Sequence, residues 1–265
     1  MKWPVFSELK YGEYIMTYLD THCHIDLFEK PEQIVSLAET NQVYTIAVTN
    51  APSVFFYTKK ICEGKIYVKP ALGLHPELAA QKAQELSMFC ELIDDTKYIG
   101  EVGLDGQSKG TDDFEIQKKV FEKILSVCAE RKNKILTVHS RNAATEVISM
   151  IGNNYPGKII LHWFSGSFKE LELAVSYGFY FSINYPMTIS EKGRKIIEKL
   201  PLERILIETD GPFTKFNSQP STPLLSIEIS NKIIAIKNSH SKSIIGNDIF
   251  LNNFKNLYSN EKKQF

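Results

Sequence analysis

Short runs of β-branched and aliphatic residues recur along the chain with helix-like stretches between them. Eight can be traced: Tyr18 to Thr21, Val43 to Val48, Ile66 to Gly73, Tyr98 to Val102, Ile135 to His139, Lys158 to His162, Phe179 to Ile183 and Ile205 to Glu208. Continuous runs such as Lys158-Ile159-Ile160-Leu161 suit parallel strands buried on both faces, where a sheet with one wet face would alternate. Eight strand–helix units in succession predict an α/β fold of the TIM (β/α)8 barrel type. The intervening segments carry helix start and stop signals. Asp112 with Glu115 and Ser167 with Glu170 read as capping boxes, and Gly178 follows a helical stretch. After the eighth strand, Pro212, Pro220 and Pro223 with Ser218, Ser221 and Thr222 predict an irregular loop. Helices are expected beyond it near Leu225 to Ile236 and Asn247 to Tyr258. Residues 1–15 read as an N-terminal arm and residues 16–265 as a single barrel domain.

Most of the polar chemistry sits where the apolar runs stop. Histidine-bearing clusters are Asp20-Thr21-His22-Cys23-His24, Gly73-Leu74-His75-Pro76, Val138-His139-Ser140-Arg141 and Leu161-His162-Trp163. Two carboxylate clusters, Gly100-Glu101-Val102-Gly103-Leu104-Asp105 and Glu208-Thr209-Asp210-Gly211-Pro212, end similar runs. Strand residues two apart share a face, so His22 and His24 can present two imidazoles to one cation while Cys23 points away. In a parallel barrel all these clusters meet on the C-terminal rim, where catalytic residues of different strands gather. The expected metal ligands are therefore His22, His24, Glu101, His139, His162 and Asp210. Four imidazoles and two carboxylates exceed one tetrahedral shell and suit two divalent cations bridged by Glu101. Zn, Mg and Mn all remain compatible with mixed nitrogen and oxygen ligands.

Asp210 beside the metals can also accept the proton of an attacking water. His75 and Arg141 are expected to face the substrate, Arg141 as a fork for phosphate and His75 as a group that binds or protonates a leaving oxygen. The bland alternatives are a surface ion pair for Arg141 and a histidine packed at the turn before Pro76 for His75. Asp26 and Asp105 are either partners that orient the histidines or turn residues. Asp20 is expected to support the barrel end, and His240 reads as a solvated side chain. Trp163 and Phe164 either stack a nucleobase or pack the rim.

Composition narrows the partners. With 31 basic and 31 acidic residues the net charge is zero, so no global field advertises a nucleic-acid or membrane partner, and an anionic substrate must be gripped locally. Lys192, Arg194 and Lys195 are local basic candidates, or else a solvated helix face. The four cysteines lack paired C-x-x-C spacing, which argues against a zinc ribbon or a disulfide framework and suits a reducing cytoplasm. Met1 to Met16 lacks the apolar core of a secretory signal, and no stretch approaches the ~18 apolar residues of a membrane span.

Taken in order, Asp-Thr-His-Cys-His at 20–24, Gly-Leu-His-Pro at 73–76, Ile-Gly-Glu-Val-Gly-Leu-Asp at 99–105, Val-His-Ser-Arg at 138–141, His-Trp-Phe-Ser-Gly-Ser at 162–167 and Glu-Thr-Asp-Gly-Pro at 208–212 resemble the TatD family of metal-dependent nucleases. The resemblance runs from about Met16 to Tyr258. It implies a metallo-dependent hydrolase barrel of the amidohydrolase superfamily, with the six residues above as ligands and His75 and Arg141 near the scissile phosphate. It also implies DNase activity, often exonucleolytic from the 3′ end, on single-stranded DNA or DNA ends. Among family branches the chain looks most like the TatD-type nuclease of the bacterial Qat anti-phage system, which implies protein partners from a defence operon. Two departures bear on substrate preference. Gly106 follows the Gly-Leu-Asp motif where the family usually has an aromatic, and the loop after Asp210 is shorter than the usual pattern.

Three functions compete on these residues. A two-metal phosphodiesterase leads. The same barrel can attack a carbonyl, giving an amidase or lactonase, but many such enzymes bridge their metals with a modified lysine where this strand offers Glu101. A non-catalytic component of a larger complex is the third, and the presence of every expected ligand argues against it.

Overall fold

A computed structural model of the chain describes residues 18–239, 246 and 248–258. The expected arm at 1–15, His240 and Asn247 lie outside the described residues. Eight strands form one parallel sheet in sequence order: β1 (Tyr18–Cys23), β2 (Val43–Ala47), β3 (Val68–Leu72), β4 (Tyr98–Gly103), β5 (Ile135–His139), β6 (Lys158–His162), β7 (Tyr180–Ile183) and β8 (Ile205–Ile207). Just beyond β8 the chain returns to β1. The Asp210 N–H donates to the His22 carbonyl and the His24 N–H to the Gly211 carbonyl, both at 2.8 Å. Asp20 supports this seam, as expected: its buried carboxylate accepts from the Thr209 N–H (2.8 Å), the Thr209 hydroxyl and the His22 N–H (3.2 Å). Burial raises the Asp20 pKa to about 7 against the pull of those hydrogen bonds.

Helices separate the strands: α1 (Pro31–Thr40), α2 (Pro52–Ile61), α3 (Ala79–Lys82), α4 (Leu86–Leu92), α5 (Asp112–Arg131), α6 (Ala144–Ile151), α7 (Phe168–Ser176), α8 (Tyr185–Ile189), α9 (Glu191–Lys199), α10 (Ser226–Asn238) and α11 (Asp248–Asn256). The capping box of α7 forms reciprocally between Ser167 and Glu170, and Gly178 takes the left-handed turn (φ 81°) after its end. The box expected at Asp112 does not form. Thr111 is the residue that caps α5, and its hydroxyl is spent on the Ser108 carbonyl at 2.7 Å. Asp112, Asp113 and Glu115 instead lie within the first turn, where negative charge complements the helix dipole. The loop after β8 also differs from expectation, because it contains a small antiparallel hairpin, β9 (Lys215–Phe216) with β10 (Gln219–Pro220). Its two-residue turn is Asn217-Ser218, both left-handed (φ 49° and 64°), as tight hairpin turns require.

The period of two along the strands sorts their side chains into separate cores. Leu136, Val138, Ile159, Leu161, Phe181, Ile205 and Ile207 pack with residues of the surrounding helices. Leu19, Tyr44, Ile46, Tyr98, Ile135, Ile160, Tyr180 and Leu206 form another buried cluster with Phe254 of α11. Those second residues share the parity of Thr137 and His139 on β5, His162 on β6 and Ser182 on β7. On β5, β6 and β7 one face thus begins apolar and ends polar. On β1 and β4, register shifts between Asp20 and Cys23 and between Ile99 and Val102 separate Leu19 from His22 and Tyr98 from Glu101, which are of opposite parity. Among the described residues, no helix is long and apolar enough to cross a membrane.

Candidate metal centre

Glu101 stands at the middle of the polar end, and its two oxygens face two sets of imidazoles. Oε2 lies 3.3 Å from His22 Nε2 and 3.1 Å from His24 Nε2. Oε1 lies 2.6 Å from His139 Nδ1, 3.0 Å from His162 Nε2 and 3.3 Å from His75 Nε2. Asp210 Oδ1 completes the first set, 3.8 Å from His22 Nε2 and 3.6 Å from His24 Nε2, which are themselves 3.2 Å apart. All six expected ligands therefore converge.

The spacing fits cations. Four ligands bonded at about 2.0–2.1 Å around a tetrahedral ion stand roughly 3.4 Å from one another. The donors of His22, His24, Glu101 and Asp210 approach that separation, and His139 Nδ1 and His162 Nε2 are 3.4 Å apart beside the other Glu101 oxygen. A single shared proton can join one pair of such atoms but not the whole set. Electrostatics point the same way. Burial pushes the Glu101 carboxyl up, yet the His75, His162 and His22 imidazoles around it hold it well below the usual carboxylate range. Burial lowers His139 and His162, but carboxylates overturn that: Asp105 and Glu101 raise His139, and Glu101 and Glu208 raise His162 well above its ordinary value. His22 stays neutral, its pKa well below normal through burial and the neighbouring His162 charge.

Around the donors sits a ring of orienting groups. Thr137 Oγ1, two residues before His139 on the same strand face, lies 2.7 Å from His22 Nδ1. Asp105 accepts from His139 Nε2 at 2.7 Å and caps its own turn through the Gln107 N–H at 2.9 Å, so both roles expected of it are real. Glu208 is buried and accepts from Ser182 Oγ, Asn184 Nδ2 (3.0 Å) and the Trp163 N–H (3.0 Å), while its Oε2 faces His162 Nδ1 at 3.5 Å. His22, His162 and Glu208 also bring ligand atoms within 4.8 Å of one another. With its oxygens taken by those donors, Glu208 suits the positioning of His162 better than ligation. Asp26 makes no such bond: its Oδ1 and the Nδ1 of His24 are both buried without a hydrogen-bond partner.

His75 and Arg141 lie on the outer side of the donor set. The Glu77 N–H donates to His75 Nδ1 at 3.2 Å, which puts the proton of a neutral ring on Nε2, the atom facing Glu101. A ring in that tautomer donates rather than ligates. Arg141 is exposed at 43% and forms two ion pairs, Nε to the buried Asp105 (2.8 Å) and Nη2 to the exposed Glu77 (2.6 Å). Trp163 and Phe164 part company: Phe164 is buried edge-on against Phe181, whereas Trp163 is exposed. Phe213, which sequence reasoning passed over, is also exposed and packs edge-on to His24 at 4.9 Å between centroids. Of the basic candidates, Lys192 is tied to the Ser165 carbonyl (2.5 Å) and Lys195 to Glu191 (2.6 Å).

The backbone at the mouth has little freedom. Asp210 and Trp163 are both left-handed (φ 52° and 39°), a conformation that non-glycine residues adopt at a cost of about 1–3 kcal/mol. Gly103 has φ 137°, and a Cβ there would lie 2.1 Å from the His139 carbonyl oxygen. At Gly106 a Cβ would lie 2.2 Å from the Asn142 carbonyl oxygen, so the 141–142 segment occupies the space that an aromatic would need.

Residues 19–259 match the family of TatD related DNases. Human deoxyribonuclease TATDN3 is 29% identical over 236 residues, covering 82% of this chain and 86% of the relative. A metal-dependent hydrolase of Methanocaldococcus jannaschii is 28% identical over 240 residues, covering 86% and 93%. The crystal structure of YjjV, a TatD homolog from Escherichia coli, superposes with a TM-score of 0.80 at 26% identity, over 92% of this chain and 98% of that one.

Proposed function

The chain belongs to the TatD family of DNases, a family of metal-dependent hydrolases acting on ester bonds, and from that membership we propose that it is a two-metal phosphodiesterase acting on single-stranded DNA ends. The observation that carries the reading is Glu101, with each carboxylate oxygen turned to a different set of imidazoles. His22, His24 and Asp210 would hold one divalent cation, His139 and His162 a second, and Glu101 both. Bound there, two such ions, Zn, Mg or Mn, supply Lewis acidity for a phosphoryl group and make water acidic enough to attack at neutral pH.

The chain's own groups then have distinct tasks. Asp210, beside His22 and His24 at the mouth, is the carboxylate placed to receive a proton from an attacking water. His75 Nε2–H is placed to donate to an oxygen of the ester. Arg141 pairs with phosphate from the outer side, its Nε fixed by Asp105. Exposed Trp163, which follows His162, and exposed Phe213, whose ring packs on His24, suit the open faces of unpaired bases. A net charge of zero favours a short grip on a strand end over extended binding of duplex. Cleavage from the 3′ end and a part in anti-phage defence with operon-encoded partners rest on the motif resemblance alone.

End-labelled single-stranded DNA and RNA incubated with Mg²⁺, Mn²⁺ or Zn²⁺ test the reading. The expected result is a metal-dependent ladder on DNA, shortening from the 3′ end, that falls by about 10³-fold or more in Glu101→Ala and Asp210→Asn, equivalent to roughly 4 kcal/mol. Intact nucleic acid in every metal, with the wild type shown to be metallated, would transfer the chemistry to a carbonyl substrate.

A further inference from the structure

The Arg141 guanidinium is divided between two carboxylates of unlike character. Asp105, on Nε, is buried, and it also accepts from His139 and the Gln107 N–H. Those three contacts fix the Asp105 carboxylate in place, and with it Nε. Glu77, on Nη2, is exposed, as is Arg141 itself. An exposed ion pair of this kind is among the weakest contacts a protein makes. One edge of the fork is thus anchored and the other lightly covered.

Glu77 is nonetheless held beside the mouth. It follows Pro76 in the one-turn helix Pro76–Leu78, and its N–H is fixed on His75 Nδ1. Its Oε2 lies 4.0 Å from the same nitrogen. A carboxylate therefore sits between His75 and Arg141, the two groups that face the ester in the proposed function. Nη1 and Nη2 form the edge that phosphate takes bidentately, and a phosphate there replaces a weak solvent-exposed partner with a stronger one.

We propose that Glu77 is an internal counter-anion, whose carboxylate occupies on Arg141 the place of a substrate phosphate and is displaced when a nucleic-acid strand binds. This rests on the phosphodiesterase reading and adds an affinity control to it. Any anion must displace Glu77 to reach Arg141, so the pair weakens every anionic ligand there by a common factor, and a strand that makes further contacts at the mouth is retained where a small free anion is not. The backbone of Glu77 need not move, because the contact is made by its exposed side chain alone.

Anisotropy of a labelled single-stranded oligonucleotide on metal-free protein in chelator tests binding without cleavage, and steady-state kinetics with metal restored gives KM. Glu77→Gln is expected to tighten Kd and lower KM by roughly two- to fivefold at low salt, the range that an exposed pair supports. The same substitution in an Arg141→Ala background is expected to change neither. Unchanged Kd in Glu77→Gln would overturn the proposal, and so would an equal gain in the Arg141→Ala background, which would mean repulsion through space rather than displacement. Wild-type cleavage with either result removes the counter-anion and leaves the phosphodiesterase standing. A wild type that neither binds nor cleaves nucleic acid in any metal removes both.

Discussion

The same eight strands build two ends of opposite character. At the end where the strands start, Tyr44 and Tyr98 share a hydrogen bond of 2.7 Å and Phe254 of α11 packs on both, with ring centroids 5.1 and 6.4 Å away. Leu19, Ile135, Ile160 and Leu206 fill the remaining space. At the other end the same strand faces carry His139, His162, Ser182 and Glu208, and the carboxyl groups of Glu101 and Asp210 are buried among imidazoles. Burying apolar surface stabilises the chain, whereas burying unlike charges only breaks even at best without a cation. The start of the barrel thus holds the fold, and its end uses that stability to keep a costly arrangement in place.

Substitutions at the two ends should therefore separate stability from chemistry. The largest stability effect is expected for Phe254→Ala, which leaves a cavity between two tyrosines and costs about 3–5 kcal/mol. Urea unfolding measures it, and metal content per folded molecule should not change. A Phe254→Ala protein of normal stability with impaired metal binding would erase the division between the ends. A smaller and opposite effect is expected for Asp105→Asn, which loosens His139 and Arg141 together. Metal affinity should fall by roughly 10–100-fold, with the unfolding midpoint little changed. Loss of folding in Asp105→Asn would instead make the mouth part of the structural core.

The barrel and the histidines of β5 and β6 were legible because both follow from strand parity, whereas His22, His24 and Glu101 lie at register shifts of β1 and β4 and were legible as polar clusters ending apolar runs. Ile135, Thr137 and His139 alternate on β5, as do Ile160 and His162 on β6, so the apolar runs that predict strands also aim the histidines at their ends. Parity could have found Thr137 and Ser182 as well. Other features depend on distance across the fold and leave no local trace. The pairing of Glu77 with Arg141 spans 64 residues, and that of Thr137 with His22 spans 115. The hairpin after β8 was hidden because Pro220 and Ser218 read as loop, although Asn217-Ser218 is an acceptable two-residue turn. At α5, the acids of the first turn mimicked a capping box one residue late. Gly106 was visible as a departure from the family pattern, but its cause, the Asn142 carbonyl behind it, was not.

The central claim is that Glu101 joins two cation sites in one mouth. Metal content of the purified chain, saturated with Mn²⁺ or Zn²⁺ and freed of excess ion, tests it most directly by elemental analysis alongside Glu101→Ala. The account predicts two ions per chain in the wild type and a loss from both sites when Glu101 is removed. One ion per wild-type chain at saturation, or two retained in Glu101→Ala, would contradict it.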